Sequence, residues 1–291
     1  MKQLLGLLCK SLSFIIASLP KRARDFFGDI IGFLWFDVLR IRRQVAIDNI
    51  AIAFPHMPES DRVKMARWSL RHMGRTIVEY AIFPFLTRKK ADAMFRYEGF
   101  DKIDEILKLG KGAIFVTLHL GNGDLAITAL SKRGYPISLI SKEFKSRWLN
   151  DLWFGMRRKH GTQFISAEKS SFDILRTLKR NGIVVFVLDQ FMGPPIGVRT
   201  KFFGKETGTA LGCALMADRT GAPVFMTYTY RADDGKHVAV IEEMIPFLDN
   251  GPRDKNIAVM TQVYTDKIEA IVRKHPEQWM WIHRRWKEFR D

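Results

Sequence analysis

From residue 113 onward, short apolar runs alternate with stretches of helical periodicity. AIFVTL (113–118), PISLIS (136–141), IVVFVL (183–188) and PVFMTYTY (223–230) are brief and rich in β-branched and aromatic residues, and read as strands. Between them, 147–159, 171–181 and 209–219 repeat apolar residues every three or four positions and read as helices, as does 254–275 before the tail. Strands alternating with helices predict an α/β fold: a central, mostly parallel or mixed sheet flanked by helices. Residues 44–90 instead read as helical, with one helix opening at Ser60 or Asp61 as N-cap.

The first 43 residues carry a different pattern. LLGLLCKSLSFIIASLP (4–20) is apolar but broken by Lys10, and FFGDIIGFLWFDVLRIRR (26–43) contains Asp29 and Asp37. Neither reaches the roughly 20 uninterrupted apolar residues of a clear spanning helix. Lys2 and Ala17-Ser18-Leu19 make a poor export signal, and Lys21, Arg22 and Arg24 directly after it favour a cytoplasmic location. Two readings stay open, ordinary core helices or a helix in the membrane interface. Phe26, Phe27, Phe33, Trp35 and Phe36 beside Arg40, Arg42 and Arg43 suit the interface. The expected organisation is an N-terminal membrane-associating helical segment, 1–43, and one domain over 44–291.

Charge sharpens this picture. Lys and Arg number 47 against 31 Asp and Glu, a net +16 that calls for nucleic acid, an anionic bilayer, an acidic protein or a phosphorylated substrate. The tail QWMWIHRRW combines Trp279, Trp281 and Trp286 with Arg284 and Arg285, which fits core packing, an interfacial anchor or an RNA-stacking strip. No nucleic-acid-binding module is recognisable, so no nucleic-acid partner is expected. The two cysteines, Cys9 and Cys213, form neither a disulfide framework nor a zinc cluster, and no metal is expected.

Candidate chemistry gathers in AIFVTLHLGNGDLA (113–126), at the carboxyl end of a predicted strand, where open α/β sheets place their sites. One reading is a dinucleotide fingerprint: Gly121-Asn122-Gly123-Asp124-Leu125-Ala126 fits G-x-G-x-x-G/A, with Glu143 after the next strand. Against it, an acid at the mouth would repel a pyrophosphate. The other reading pairs His119 with Asp124, whose carboxylate would fix the imidazole tautomer and leave the second ring nitrogen as a general base. A plain structural role, with Asp124 capping a helix, is the third. With no G-x-S-x-G elbow in the sequence, direct attack by an acceptor is favoured over an acyl-enzyme.

TLHLGNGD (117–124), VLDQFMGPPIGVRTKFFGKETGTALGCALMADRTGAPV (187–224), PEQWMWIHRRWK (276–287) and the early RRQVAIDNIAIAFP (42–55), in that order, resemble the lipid A biosynthesis acyltransferases, the lauroyl/myristoyltransferase branch of the lysophospholipid acyltransferase superfamily. The resemblance implies a catalytic dyad of His119 and Asp124 and transfer of a fatty acyl chain to a lipid A precursor. It implies an acyl thioester as co-substrate, usually on acyl carrier protein, no cofactor, and a place at the cytoplasmic face of a bacterial inner membrane. Asp189 falls on the family's D-Q/D-H block and Arg157 or Arg158 on its basic block. An arginine there would meet the phosphate of a glycolipid acceptor or the oxyanion, and Asp189 would hold that arginine or order the loop through Gly193. Lys201, Arg284 and Arg285 are expected on the same face, towards anionic lipid and carrier, and Arg67 on a merely solvated helix. One departure stands out: where the family often has H-F-G-N-W-E, this chain has H-L-G-N-G-D. Loss of the Trp alters the acceptor pocket and keeps a lysophospholipid or another glycolipid in play.

Overall fold

The computed structural model describes residues 2–168 and 170–290. The N-terminal part is helical: α1 (Lys2–Ser18), α2 (Lys21–Phe33), a π-helical turn over Leu34–Leu39, α3 (Arg43–Ala53) and α4 (Glu59–Tyr80). Then follow α5 (Arg88–Met94), β1 (Phe95–Glu98), α6 (Lys102–Lys108), β2 (Ala113–Thr117), α7 (Gly123–Lys132), β3 (Ile137–Ser141), α8 (Arg147–Arg158), β4 (Gln163–Ser166), α9 (Ser170–Lys179) and β5 (Ile183–Val187). A hairpin of β6 (Gly197–Phe202) and β7 (Lys205–Ala210) leads to α10 (Gly212–Thr220), β8 (Val224–Arg231), β9 (His237–Ile245) and α11 (Arg253–Lys274).

Seven strands form one sheet in the order β1-β9-β8-β2-β5-β3-β4. All neighbours run parallel except β8 and β9. Every residue of β2 is buried, because helices cover both faces of the sheet. Ile114, Val116 and Leu118 point into one apolar cluster with Tyr264 and Trp281, while Ala113 and Phe115 point into the other with Leu125 and Phe225. The expected mixed α/β architecture is therefore present, with its four predicted strands displaced by no more than a residue or so. The helix expected at 209–219 starts at Gly212, because Thr209 and Ala210 finish the hairpin. Strands β1, β4, β6, β7 and β9 add to the four read from the sequence: β1 and β4 are four residues long and the β6–β7 hairpin is largely polar.

The N-terminal segment is continuous with this body. Phe36 is fully buried in the first core cluster beside Ala46 and Ile50, so the boundary expected at 43 does not divide two cores. Helix α2 lies directly on α4. A methyl group at Gly74 would sit 2.2 Å from the Gly28 carbonyl oxygen, so only glycine allows this approach. Both acids that interrupt the apolar run face inward to α4: Asp29 takes two hydrogen bonds from Arg75 at 2.7 and 2.8 Å, and Asp37 is gripped by Arg67 at 2.9–3.2 Å. Arg67, expected on a solvated face, is thus a structural partner, and its guanidinium also lies over Phe36. The outward faces of α1 and α2 remain apolar, with Leu8, Leu12 and Ile15 on α1 and Phe26, Phe27, Ile30 and Phe33 on α2 exposed. Among the described residues, no helix is long and apolar enough to cross a membrane.

Candidate active site

Strands β2 and β5 are neighbours in register, Thr117 opposite Val187, so the chain leaves both at the same end of the sheet and brings His119 beside Asp189. His119 Nδ1 donates to Asp189 Oδ1 at 2.8 Å, its backbone N–H to Oδ2 at 2.9 Å, and the Trp279 indole N–H to the same Oδ2 at 2.8 Å. Asp189 is almost wholly buried, and burial alone would raise its pKa. The imidazole's charge and these hydrogen bonds reverse that and bring it down to about 2. For His119, burial works against the imidazolium, but the charge and hydrogen bond of Asp189, with a smaller contribution from Asp124, hold its pKa above the ordinary value. The ring is 40 % exposed and its Nε2 has no protein partner among the described residues.

Asp124 is therefore not the acid bonded to the ring. It sits in the first turn of α7, where Tyr80 Oη donates to its Oδ2 at 3.1 Å and Arg157 Nε to its Oδ1 at 3.1 Å. It still acts on the imidazole through space, as one of the charges that raise its pKa. The spacing H-x4-D is compatible with either acid as ring partner. Asp189 takes the role because it leaves the adjacent strand, whereas the turn over Gly121 and Asn122 carries Asp124 to the start of α7. That turn requires Gly121, with φ +55° and a would-be Cβ 2.4 Å from the Thr229 carbonyl oxygen.

The arginines separate. Arg157 is 1 % exposed, spends Nε on Asp124 and Nη1 on the Trp153 carbonyl oxygen, and lies over the Trp153 ring at 3.7 Å. The expected meeting with a phosphate does not fit this enclosed place, which suits an anchor for Asp124. Arg158 turns the other way, into a groove between β3, α8 and β4 lined also by Lys145, Arg147 and Asp151. Asp189 holds neither arginine by a hydrogen bond and binds His119 and Trp279 instead. Lys201 lies exposed on β6. Arg284 is exposed, but Arg285 is fully buried and donates to the carbonyls of Gln190 and Gly208.

Two features had no legible signal. Tyr80, on α4, reaches Asp124 from 44 positions away. The tail runs alongside the His119–Asp124 turn, with Met280 N–H donating to the His119 carbonyl and Trp279 paired to Leu120. Gly123, where the family often has Trp, opens onto empty space, since a Cβ there would meet nothing within 4 Å. It borders a small apolar cavity of about 30 Å³, lined also by Phe115, Ile127 and Val185.

The family described as bacterial lipid A biosynthesis acyltransferase matches residues 4–288. The chain belongs to this family. It is 26 % identical over 276 residues, 92 % of this chain and 86 % of the relative, to a lipid A biosynthesis palmitoleoyltransferase of Escherichia coli (strain K12). A lipid A biosynthesis lauroyltransferase of the same organism is 23 % identical over 94 % of this chain and 88 % of its own. A phosphatidylinositol mannoside acyltransferase of Mycobacterium tuberculosis (strain ATCC 25618 / H37Rv) is 28 % identical over 75 % and 69 %. Relatives named for two kinds of glycolipid agree on one reaction type, and this member of the family is an acyltransferase. The G-x-G-x-x-A likeness at 121–126 is a feature of its turn into α7.

Proposed function

We propose that this acyltransferase moves a fatty acyl chain from a thioester, carried by acyl carrier protein, to a hydroxyl of a lipid A precursor at the cytoplasmic face of the bacterial inner membrane. The observation that carries the reading is the imidazole of His119, fixed at Nδ1 by Asp189 and open at Nε2. Such a ring presents a lone pair at Nε2, raised in basicity by the buried carboxylate behind it. Nε2 takes the proton of the acceptor hydroxyl as its oxygen attacks the thioester carbonyl. The tetrahedral intermediate then collapses, the C–S bond breaks, and the imidazolium returns the proton to the leaving thiolate. Asp124 adds negative charge near the imidazolium while Tyr80 and Arg157 hold it in place. Burial pushes the Cys213 thiol far up, which leaves it no nucleophilic role.

Membrane association through residues 1–43 belongs to the same proposal. It is supported by the apolar outer faces of α1 and α2, by Asp29 and Asp37 turned inward, and by the +16 charge. The groove at Arg158, Lys145 and Arg147, whose three cations outnumber its two carboxylates, Glu143 and Asp151, offers a place for an acidic carrier or a phosphorylated acceptor. The open position at Gly123 favours an acceptor or chain bulkier there than in relatives with Trp, so another glycolipid is the second reading. The test is transfer of a labelled acyl chain from acyl carrier protein to lipid A precursor by purified wild type and by His119→Ala. Wild type should acylate the acceptor, and folded His119→Ala should lose at least about 10³-fold of that rate. Near-normal transfer by the variant would end the base assignment.

A further inference from the structure

Behind the catalytic turn lies a buried ionic cluster with no part in the chemistry above. Glu79 of α4, Arg231 at the end of β8 and His237 at the start of β9 are each nearly inaccessible to solvent. Arg231 Nη2 donates to Glu79 Oε2 at 2.7 Å, and His237 Nε2 donates to Oε1 at 3.1 Å. Burial alone would push the Glu79 carboxyl up, but Arg231 and His237 hold it well below the usual range, so it stays charged. Buried charges of this kind seldom add stability over apolar residues of the same shape.

What the cluster fastens is the turn. Asn122, 1 % exposed, donates from Nδ2 to Glu79 Oε2 at 2.8 Å, while its Oδ1 caps α7 by accepting from the Leu125 N–H at 3.0 Å. A serine caps a helix as well as an asparagine does. The amide N–H that a serine lacks is the one directed at Glu79. The neighbours of Glu79 repeat the pattern. One turn earlier, the Thr76 hydroxyl lies 3.2 Å from the Gly121 carbonyl oxygen and accepts from Arg231; one residue later, Tyr80 holds Asp124. Residues 76, 79 and 80 share one face of α4, and that face meets Gly121, Asn122 and Asp124 in sequence. Gln278 closes the far side: its carbonyl accepts from Gly121 N–H, and its side-chain amide exchanges two hydrogen bonds with the Arg231 backbone.

We infer that Glu79 is a positioning residue of this acyltransferase, acting through Asn122 to set the Gly121–Asp124 turn, and with it the Asp124 carboxylate, against His119. The inference rests on His119 as the base, and two kinds of measurement keep the two ideas apart. The first is a kinetic cycle of Asn122→Ser, Glu79→Gln and the double variant. Asn122→Ser keeps the cap and loses the tether, and it should lower kcat about tenfold or more with KM within about twofold, while the thermal midpoint falls only as far as the loss of one buried hydrogen bond lowers it. Glu79→Gln should lower kcat by a similar or larger factor, yet cost at most about threefold more once Asn122 is already serine. Should Glu79→Gln not fold, Asn122→Ser decides alone. The second is the titration of His119, followed by NMR of histidine labelled at Cε1 and assigned with His119→Ala. In Asn122→Ser its pKa should fall as Asp124 moves away. That readout does not depend on acyl transfer, so an inactive wild type would overturn the reaction while leaving the positioning role testable. Wild-type kcat with an unmoved His119 pKa in Asn122→Ser would overturn the inference, as would fully additive losses in the cycle.

Discussion

Residues 26–43 and 276–287 have nearly the same ingredients, bulky aromatics beside arginines, and opposite fates. In the first, Phe26 is 61 % and Phe33 46 % exposed on the outer face of α2, while the acids of the segment turn inward. In the second, Trp279 is 1 % and Trp281 0 % exposed, and Arg285 is sealed in with them. Partners make the difference. The Trp279 indole reaches Asp189, that of Trp281 the Pro276 carbonyl and that of Trp286 the Phe202 carbonyl, while Arg285 finds backbone oxygens. A buried tryptophan needs an acceptor and a buried guanidinium needs several, and the tail has them; in the first segment Phe36 is buried in the core, while Phe26 and Phe33 lie on the outer face of α2. Composition alone could not separate an outer apolar surface from the frame of an active site.

If the tail frames the chemistry, its effects should appear in turnover, largest at the acid it holds. Asp189→Asn should lower kcat about 10²–10⁴-fold by permitting the wrong imidazole tautomer and removing the charge behind the ring. The same variant tests the pH profile. With the neutral imidazole as the base proposed above, wild-type kcat/KM should rise with pH through a value above the ordinary 6.5. Removing the carboxylate that raises that pKa should shift the limb to lower pH while its plateau falls; an unmoved limb would assign it to another group.

The outer surface should respond in binding instead. Replacing Phe26, Phe27 and Phe33 together by Ser should weaken attachment to anionic vesicles by about 10²-fold or more, at roughly 1.5–3 kcal/mol per fully buried phenylalanine. Turnover on detergent-dispersed acceptor should stay within about twofold. Sedimentation and kinetics on one preparation decide it, and lost turnover with intact binding would invert the comparison. The smallest effect is expected at Trp279→Phe, which keeps the ring's bulk and removes one of three donors to Asp189. It should cost about 1–3 kcal/mol of stability by thermal unfolding and about tenfold in kcat.

The strands and helices that place the site were legible because β2, β5 and β8 are short, apolar and buried on both faces, and α8, α9 and α11 keep a helical period. His119, Asp124, Asp189 and Arg157 were all visible as candidates, and the structure gathers them at one end of the sheet. Their pairing was not legible. Which carboxylate meets the ring depends on β2 and β5 lying side by side, a contact 70 residues long in sequence. The polar face of α4 was hidden for the same reason: Thr76, Glu79 and Tyr80 acquire meaning only from a turn more than 40 residues away.

Helix α4 has a consequence for genetics. Gly74 on it admits α2, and Tyr80, fewer than two helical turns further on, holds Asp124. A substitution at the first position would displace the outer apolar surface, and one at the second would loosen the acid beside the base. In a growing cell both lesions would surface as the same missing lipid, so a collection of loss-of-function alleles clustered in this helix would mix two unrelated defects under one phenotype.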